Sequence, residues 1–170
     1  GVGLLDFLHL MSYAGMPDAI SPNSAHKSMF FWLAARLLGA GALLLYDWRR
    51  DLTEVSNRRK RFALVVMLLV VGMLGAIGLL WPQQVPGLFI PGVGLTPLKI
   101  RLEWLIIALH VATIGVLWKR RQALQRECVM ALAFAAALLA VSGLFFTMLG
   151  ILDQDMANAI GHVYKVAAYL

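Results

Sequence analysis

Four long apolar runs constrain this chain more than any other feature. They cover residues 27–47, 62–81, 100–118 and 128–149. Each run has about 19–22 residues, and about 20 helical residues cross the ~30 Å hydrocarbon core of a bilayer. Because lipid offers no hydrogen bonds to backbone N–H and C=O groups, a run that spans the membrane must be helical. The runs therefore predict four transmembrane helices.

The composition also indicates a membrane protein. Hydrophobic residues make up 61% of the 170 residues and charged residues 14%, whereas soluble domains average about 25% charged residues. The sequence contains no phosphate-binding loop, serine-hydrolase elbow or zinc-protease motif, so we predict no catalytic residues and exclude a soluble enzyme. The predicted fold class is an all-α integral membrane bundle of about six transmembrane helices.

The first and last of these six helices are expected to be partial. Residues 1–14 and 157–170 are apolar but short, and each stops at a chain end, with no initiator Met at the start. We read residues 1–170 as one transmembrane domain of a longer chain, with a cytoplasmic domain beyond residue 170.

Positive charge predicts the orientation in the membrane. Ten of the fifteen Lys and Arg residues lie in the connections 48–61 and 119–127, which should therefore be cytoplasmic. The opposite connections, 15–26, 82–98 and 150–156, should face outward. This pattern explains the net charge of +6 without a nucleic-acid partner.

Two further patterns concern the membrane surface. The segment 85–97, VPGLFIPGVGLTP, lacks a strand pattern, and we expect it to lie on the outer surface or to cap the helices. Interfacial tryptophans form an aromatic belt in membrane proteins. The tryptophans near predicted helix ends are Trp32, Trp48, Trp81, Trp104 and Trp118.

Ionisable residues inside the apolar helices are the candidates for function, because charge in lipid is costly. Counted from the outer helix ends at 1.5 Å per residue, Asp6, Arg36 and Lys165 each lie about 14 Å deep, and His9 and His162 about 9 Å. By depth, Asp6 can pair with Arg36 or Lys165, and His9 with His162. The complete set is Asp6, His9, Arg36, Glu103, His110, His162 and Lys165.

Two interpretations of these residues stay open. The buried charges either pair only to hold helices in register, or line a ligand pocket that opens outward. His9 and His162 could also ligate a metal or haem, because neutral imidazole binds both. The candidate ligand-binding residues are Asp6, His9, Tyr13, Trp32, Arg36, Glu103, Asn158, His162 and Lys165.

Several stretches resemble one bacterial family. Residues 5–16, LDFLHLMSYAGM, resemble the LDxxHxxSYxGM segment of membrane-associated sensor domains of the type-three MASE class. Residues 31–36 are similar to its WxxAR helix and residues 94–103 to its GLTPLKIxxE element. Residues 146–147 and 158–165 resemble its closing FT…NxxGHxxK block. At Gly39, and near Gly143, the family pattern has acidic residues that this chain lacks.

The resemblance implies a sensory input module in the bacterial inner membrane, joined by its last helix to a cytoplasmic output domain. That output would be a diguanylate cyclase (GGDEF) domain, which makes c-di-GMP, or a histidine kinase. We expect a homodimer that contacts membrane lipid and detects a small hydrophobic or periplasmic ligand. The alternatives are a transporter or channel, and a haem- or metal-binding membrane protein. Almost wholly apolar inner halves of the helices argue against a channel.

Overall fold

The computed structural model is helical over most of the residues that it describes. The predicted all-α membrane fold class is confirmed. The described residues are 1–18, 20–48, 56–90, 92–122, 125–148 and 154–170. Their helices are α1 (Val2–Met11), α2 (Ala25–Trp48), α3 (Asn57–Leu80), α4 (Pro97–Arg120), α5 (Arg126–Thr147) and α6 (Gln154–Tyr169), with a single 3₁₀ turn at Pro82–Gln84.

Helices α2 to α5 are the four predicted spans. All four are long and apolar enough to cross a membrane. A helix of 24 residues, such as α3, is about 36 Å long at 1.5 Å per residue. At the ends of the chain, α1 has 10 residues and α6 has 16, which makes them about 15 and 24 Å long.

Side-chain caps explain why the helices begin before the apolar runs. The Ser24 hydroxyl accepts a hydrogen bond from the backbone N–H of Lys27 at 3.2 Å. Likewise, the Thr96 hydroxyl accepts one from the backbone N–H of Lys99 at 3.4 Å, and Pro97 follows as the first helical residue. Such caps satisfy N–H groups that have no partner within the helix. Polar first turns therefore extend the helices beyond the apolar runs.

The basic connections are shorter than predicted. Residues 58–61 lie in the first five residues of α3, Lys119 and Arg120 end α4, and Arg126 begins α5. Lys and Arg are good helix formers, and their long side chains reach water from a helix end. The positive charge is therefore carried by helix ends as well as by the connections between them.

The segment 85–97 corrects one prediction, because it contains two short paired strands. These are β1 (Phe89–Ile90) and β2 (Gly94–Leu95). Gly92 and Gly94 have φ of 78° and 108°, a conformation that glycine adopts without steric cost. The two glycines allow the turn of a minimal hairpin, which the absence of a strand pattern in the sequence did not predict.

The last outward connection is also shorter than predicted, because α6 begins at Gln154 and takes in part of 150–156. Other predicted features lie outside the described residues. They are residues 49–55 with Arg49 and Arg50, Pro91, residues 123–124, and residues 149–153 with Leu149 and Asp153.

The chain divides into two compact units. The first holds α1, residues 25–39 of α2, and α3. The second holds residues 40–48 of α2, together with α4, α5 and α6. Within the second unit, α5 packs against both α4 and α6. Small buried residues of α5, Ala136, Ala140 and Gly143, allow these helices to approach closely.

The core of the first unit lies where its three helices meet. Leu5 of α1, Phe31 and Ala35 of α2, and Val71 of α3 form a buried apolar cluster. Phe31 packs so closely on Gly78 that a Cβ atom there would lie 2.9 Å from the ring atom Cε1. This core fixes α1 against α2, and so places the polar residues that those two helices carry.

Candidate functional site

An ion pair joins α1 to α2 in the first unit. The guanidinium nitrogen Nη2 of Arg36 donates hydrogen bonds to both carboxylate oxygens of Asp6, each at 2.7 Å. The Arg36 side chain is 8% exposed and that of Asp6 is 25% exposed. Arg36 is one of the two partners that the depth estimate allows for Asp6. An ion pair lowers the cost of placing each charge in an apolar surrounding.

Trp32 lies one helical turn before Arg36 and stacks with it. The guanidinium carbon is 4.9 Å from the centre of the indole ring, a cation–π contact. Trp32 is only 5% exposed, so it belongs to this polar cluster and not to the predicted aromatic belt. The other tryptophans, Trp48, Trp81, Trp104 and Trp118, are 64%, 47%, 54% and 61% exposed.

His9 and Ser28 are joined by reciprocal hydrogen bonds. The Ser28 hydroxyl donates to the backbone oxygen of His9 at 3.2 Å. The His9 ring nitrogen Nδ1 lies 2.8 Å from the backbone oxygen of Ser28 and 2.9 Å from its hydroxyl. Because a carbonyl oxygen only accepts, Nδ1 must carry the proton. In the neutral ring, Nε2 then holds the lone pair, which is the arrangement found in metal-ligating histidines.

Aromatic rings surround the His9 imidazole. The centre of the Trp32 ring is 5.4 Å from that of His9, and the Tyr13 ring meets it edge-on at 6.5 Å. Tyr13 follows the end of α1 and is 54% exposed. Five of the nine predicted ligand-binding residues thus lie together, and we call Asp6, His9, Tyr13, Trp32 and Arg36 the first-unit cluster.

A buried lysine stabilises the connection beside this cluster. The Lys27 ammonium donates hydrogen bonds to the backbone and hydroxyl oxygens of Ser21, at 2.9 and 3.1 Å, and to the side-chain oxygen of Asn23 at 3.0 Å. Lys27 is 2% exposed. Lys27 is not among the predicted site residues, because nothing in the sequence shows that several oxygen acceptors converge on it.

A second polar group lies in the second unit. The Lys99 ammonium is 3.0 Å from Oε1 of Glu103, and the two side chains are 2% and 1% exposed. The same ammonium donates a hydrogen bond to the backbone oxygen of Phe146 at 2.8 Å. Glu103 is among the predicted site residues and Lys99 is not, although their spacing of four residues places them on one helix face.

Phe146 connects this ion pair to α6. Its ring meets the His162 ring edge-on, with centres 5.3 Å apart. A Cβ atom at Gly161 would lie 2.7 to 3.0 Å from three atoms of the Phe146 ring. Beside it, the Ser142 hydroxyl donates a hydrogen bond to the backbone oxygen of Gly161 at 2.7 Å. Helices α5 and α6 are therefore joined by close packing and by a buried hydrogen bond.

The remaining predicted site residues also belong to the second unit. Asn158, His162 and Lys165 lie on α6 and are partly buried, and Glu103 is fully buried. A Cβ atom at Gly143 would lie 3.9 Å from Oε2 of Glu103. One of the two places where the chain departs from the family pattern therefore borders the Lys99–Glu103 pair.

The part of the chain that the structure describes contains no cluster of potential metal ligands. No three His, Cys, Asp or Glu side chains come together there in an arrangement that could hold an ion. A role for His9 and His162 as a pair of metal or haem ligands stays a prediction.

One of the comparisons with known proteins identifies the family of this chain. No curated protein and no solved structure matches the chain. A family model described as a membrane-associated sensor domain, MASE3, matches residues 1–170. Because that match covers the whole sequence, the chain belongs to the MASE3 family of membrane-associated sensor domains.

Proposed function

We propose that this MASE3 domain detects a small ligand at the first-unit cluster and controls a cytoplasmic output domain of a bacterial inner-membrane signalling protein. The observation that carries the proposal is the Asp6–Arg36 ion pair, packed against Trp32, within apolar helices. Ionisable residues inside membrane spans are costly and commonly mark functional sites. Ligand binding by the other predicted residues, Glu103, Asn158, His162 and Lys165, stays a prediction.

The chemistry of the first-unit cluster suits a small hydrophobic or periplasmic molecule. Arg36 offers a delocalised cation, and Trp32 and Tyr13 offer aromatic surfaces beside the His9 imidazole. Tyr13 is the most exposed of the five. A ligand that enters from the outer leaflet or the periplasm would therefore meet Tyr13 first.

Signal transfer would use the contact between α5 and α6. Phe146 lies against Gly161, and Ser142 is hydrogen-bonded to the backbone of the same residue, so a shift of α5 would move α6. A ligand changes the balance of two states only through its different affinity for each. Helix shifts of about 1–2 Å are common in such switches.

The output proposed for this protein is a diguanylate cyclase (GGDEF) domain that makes c-di-GMP, or a histidine kinase. Such output domains act as pairs, so the full-length protein would be a homodimer. The coding sequence that follows residue 170 tests this part directly. A GGDEF or kinase sequence there would support it, and an unrelated sequence would contradict it.

The ligand site is tested by Arg36→Gln in the full-length protein, with Arg101→Gln as the matched control. Arg101 is an exposed arginine of α4, so the control removes the same charge outside the cluster. Output activity, as c-di-GMP synthesis or autophosphorylation, is compared at equal membrane expression. We expect R36Q to change the activity or its response to growth conditions, and R101Q to leave both unchanged.

His9→Asn provides the second variant for this test. It removes the imidazole ring that packs against Trp32 but leaves the ion pair in place. If both R36Q and H9N reach the membrane at normal levels and keep the normal output, the first-unit cluster is structural and the proposal is wrong.

A further inference from the structure

The first three turns of α3 are exposed on every side. All residues from 56 to 66 are exposed, in a helix that presents a different face at each position. Phe62, Leu64 and Val65 are 70%, 59% and 53% exposed. A helix with apolar side chains all round is surrounded by lipid or by protein, and here the described protein covers none of its faces.

Four consecutive cations precede this apolar stretch. Arg58, Arg59, Lys60 and Arg61, which we call the basic collar, are all exposed. Since an α-helix has 3.6 residues per turn, four consecutive side chains point in all directions around the axis. Over residues 48–61 the sequence holds six basic and two acidic residues, so the collar lies in a strongly cationic segment.

The second half of α3 is different, because protein covers it. Val71, Gly75 and Gly78 are buried. Gly78 lies against the Phe31 ring, and a Cβ atom at Gly75 would contact Leu8 at 3.6 Å. The described protein therefore packs against the second half of α3 only. The first half, which carries the basic collar, is in contact with whatever surrounds the protein.

We infer that the basic collar binds the phosphate groups of anionic phospholipids. Its charges are complementary to an anionic headgroup layer, and the exposed apolar turns next to it match the acyl chains below that layer. A protein partner would cover one face of the helix, whereas the exposure runs around it. This lipid site is separate from the first-unit cluster and does not depend on the proposed ligand.

Lipid binding at the basic collar would make the position of α3 depend on membrane composition. Juxtamembrane Lys and Arg residues gain free energy near an anionic surface. A leaflet rich in anionic lipid would hold the basic collar at the headgroups and so fix the depth of α3. Because Gly78 of α3 lies against Phe31, a change in that depth would also shift the apolar core of α1 and α2.

The test is lipid retention by the full-length protein in mild detergent, measured by native mass spectrometry with added phosphatidylglycerol or phosphatidylcholine. The neutralising variant is R59Q/K60Q, which leaves the other four basic residues of 48–61 to maintain the orientation. The charge-preserving control is R58K/R59K/R61K. Thermal stability in detergent without added lipid shows whether each variant folds.

We expect the native protein to prefer phosphatidylglycerol and to lose that preference at high salt. Retention by R59Q/K60Q should fall about tenfold or more, as two lost cations near an anionic surface imply, whereas the lysine control should retain the lipid. Equal retention of both lipids by the native protein, or unchanged retention by R59Q/K60Q, would overturn the inference. If R59Q/K60Q does not fold, a salt-independent preference of the native protein overturns it equally.

Discussion

The Lys99 ammonium, in the first turn of α4, donates a hydrogen bond to the backbone oxygen of Phe146, in the last turn of α5, at 2.8 Å. The same ammonium pairs with Glu103 on its own helix. One buried cation thus joins the start of α4 to the end of α5, immediately beside the ring that packs on α6. A carbonyl oxygen in the last turn of a helix has no partner within that helix, and here Lys99 supplies one.

Removal of the Lys99 charge should strongly destabilise the second unit. Lys99→Met leaves the Glu103 carboxylate buried without its cation, and breaking a buried pair on one side typically costs about 3–5 kcal/mol. The double variant K99M/E103L should recover much of that loss, because a buried ion pair is often replaced by apolar residues at little cost. Unfolding of both variants in detergent measures the difference. A double variant no more stable than K99M would contradict the pairing.

A methyl group at Gly161 should disturb the contact between α5 and α6. In Gly161→Ala the new Cβ atom would lie within 3.0 Å of the Phe146 ring, and such overpacking costs about 1–3 kcal/mol. The matched control is Gly115→Ala in α4, where no atom lies within 4 Å of the new Cβ. We expect G115A to be neutral or stabilising and G161A to lower the unfolding temperature. Adding Phe146→Leu to G161A should restore part of the stability, and its failure to do so would exclude the steric explanation.

The proton of the His9 ring should reside on Nδ1. Nitrogen chemical shifts of ¹⁵N-histidine-labelled protein distinguish the two neutral tautomers, and a His9→Asn sample assigns the signal. In Ser28→Ala the backbone oxygen of residue 28 still accepts the Nδ1 proton, so the tautomer should persist while stability falls by about 1 kcal/mol. A signal from the Nε2-protonated ring in the native protein would contradict the reciprocal hydrogen bonds.

The orientation of the chain can be measured with its one cysteine. Cys128 is exposed and lies two residues after the start of α5, on a side predicted to be cytoplasmic. A membrane-impermeant maleimide should label it in inside-out vesicles and not in right-side-out vesicles, and Cys128→Ser should abolish the signal. Labelling of right-side-out vesicles alone would reverse the predicted topology.

Much of the fold follows from the sequence, because a bilayer restricts the possibilities. Long apolar runs have to be helices, and the structure has a helix at each of the four predicted runs. The errors lie at the membrane surface, where the solvent no longer imposes one conformation. There, local caps such as Thr96 extend a helix, and Gly92 with Gly94 turns a predicted loop into a short hairpin.

The candidate site was only partly predictable. Depth along a helix follows from residue counting, and it limits the predicted ion-pair partners of Asp6 to Arg36 and Lys165. That Arg36 reaches Asp6 depends on which helices pack together, and the apolar contacts of Leu5 and Phe31 bring α1 and α2 together. Trp32 shows the same effect, since the sequence allows both an interfacial position and a place in the ligand site, and its contact with Arg36 favours the second.

The sequence by itself determined that this chain is helical and membrane-embedded, which ionisable residues lie within its spans, and which family it resembles. These properties depend on the composition, on the length of the apolar runs and on the order of residues along the chain. Only the tertiary structure decided that Arg36 pairs with Asp6, that Lys99 binds the backbone of α5, and that Gly161 receives the Phe146 ring. Those contacts join residues that lie 15 to 47 positions apart in the sequence, and only the packing of whole helices brings such residues together.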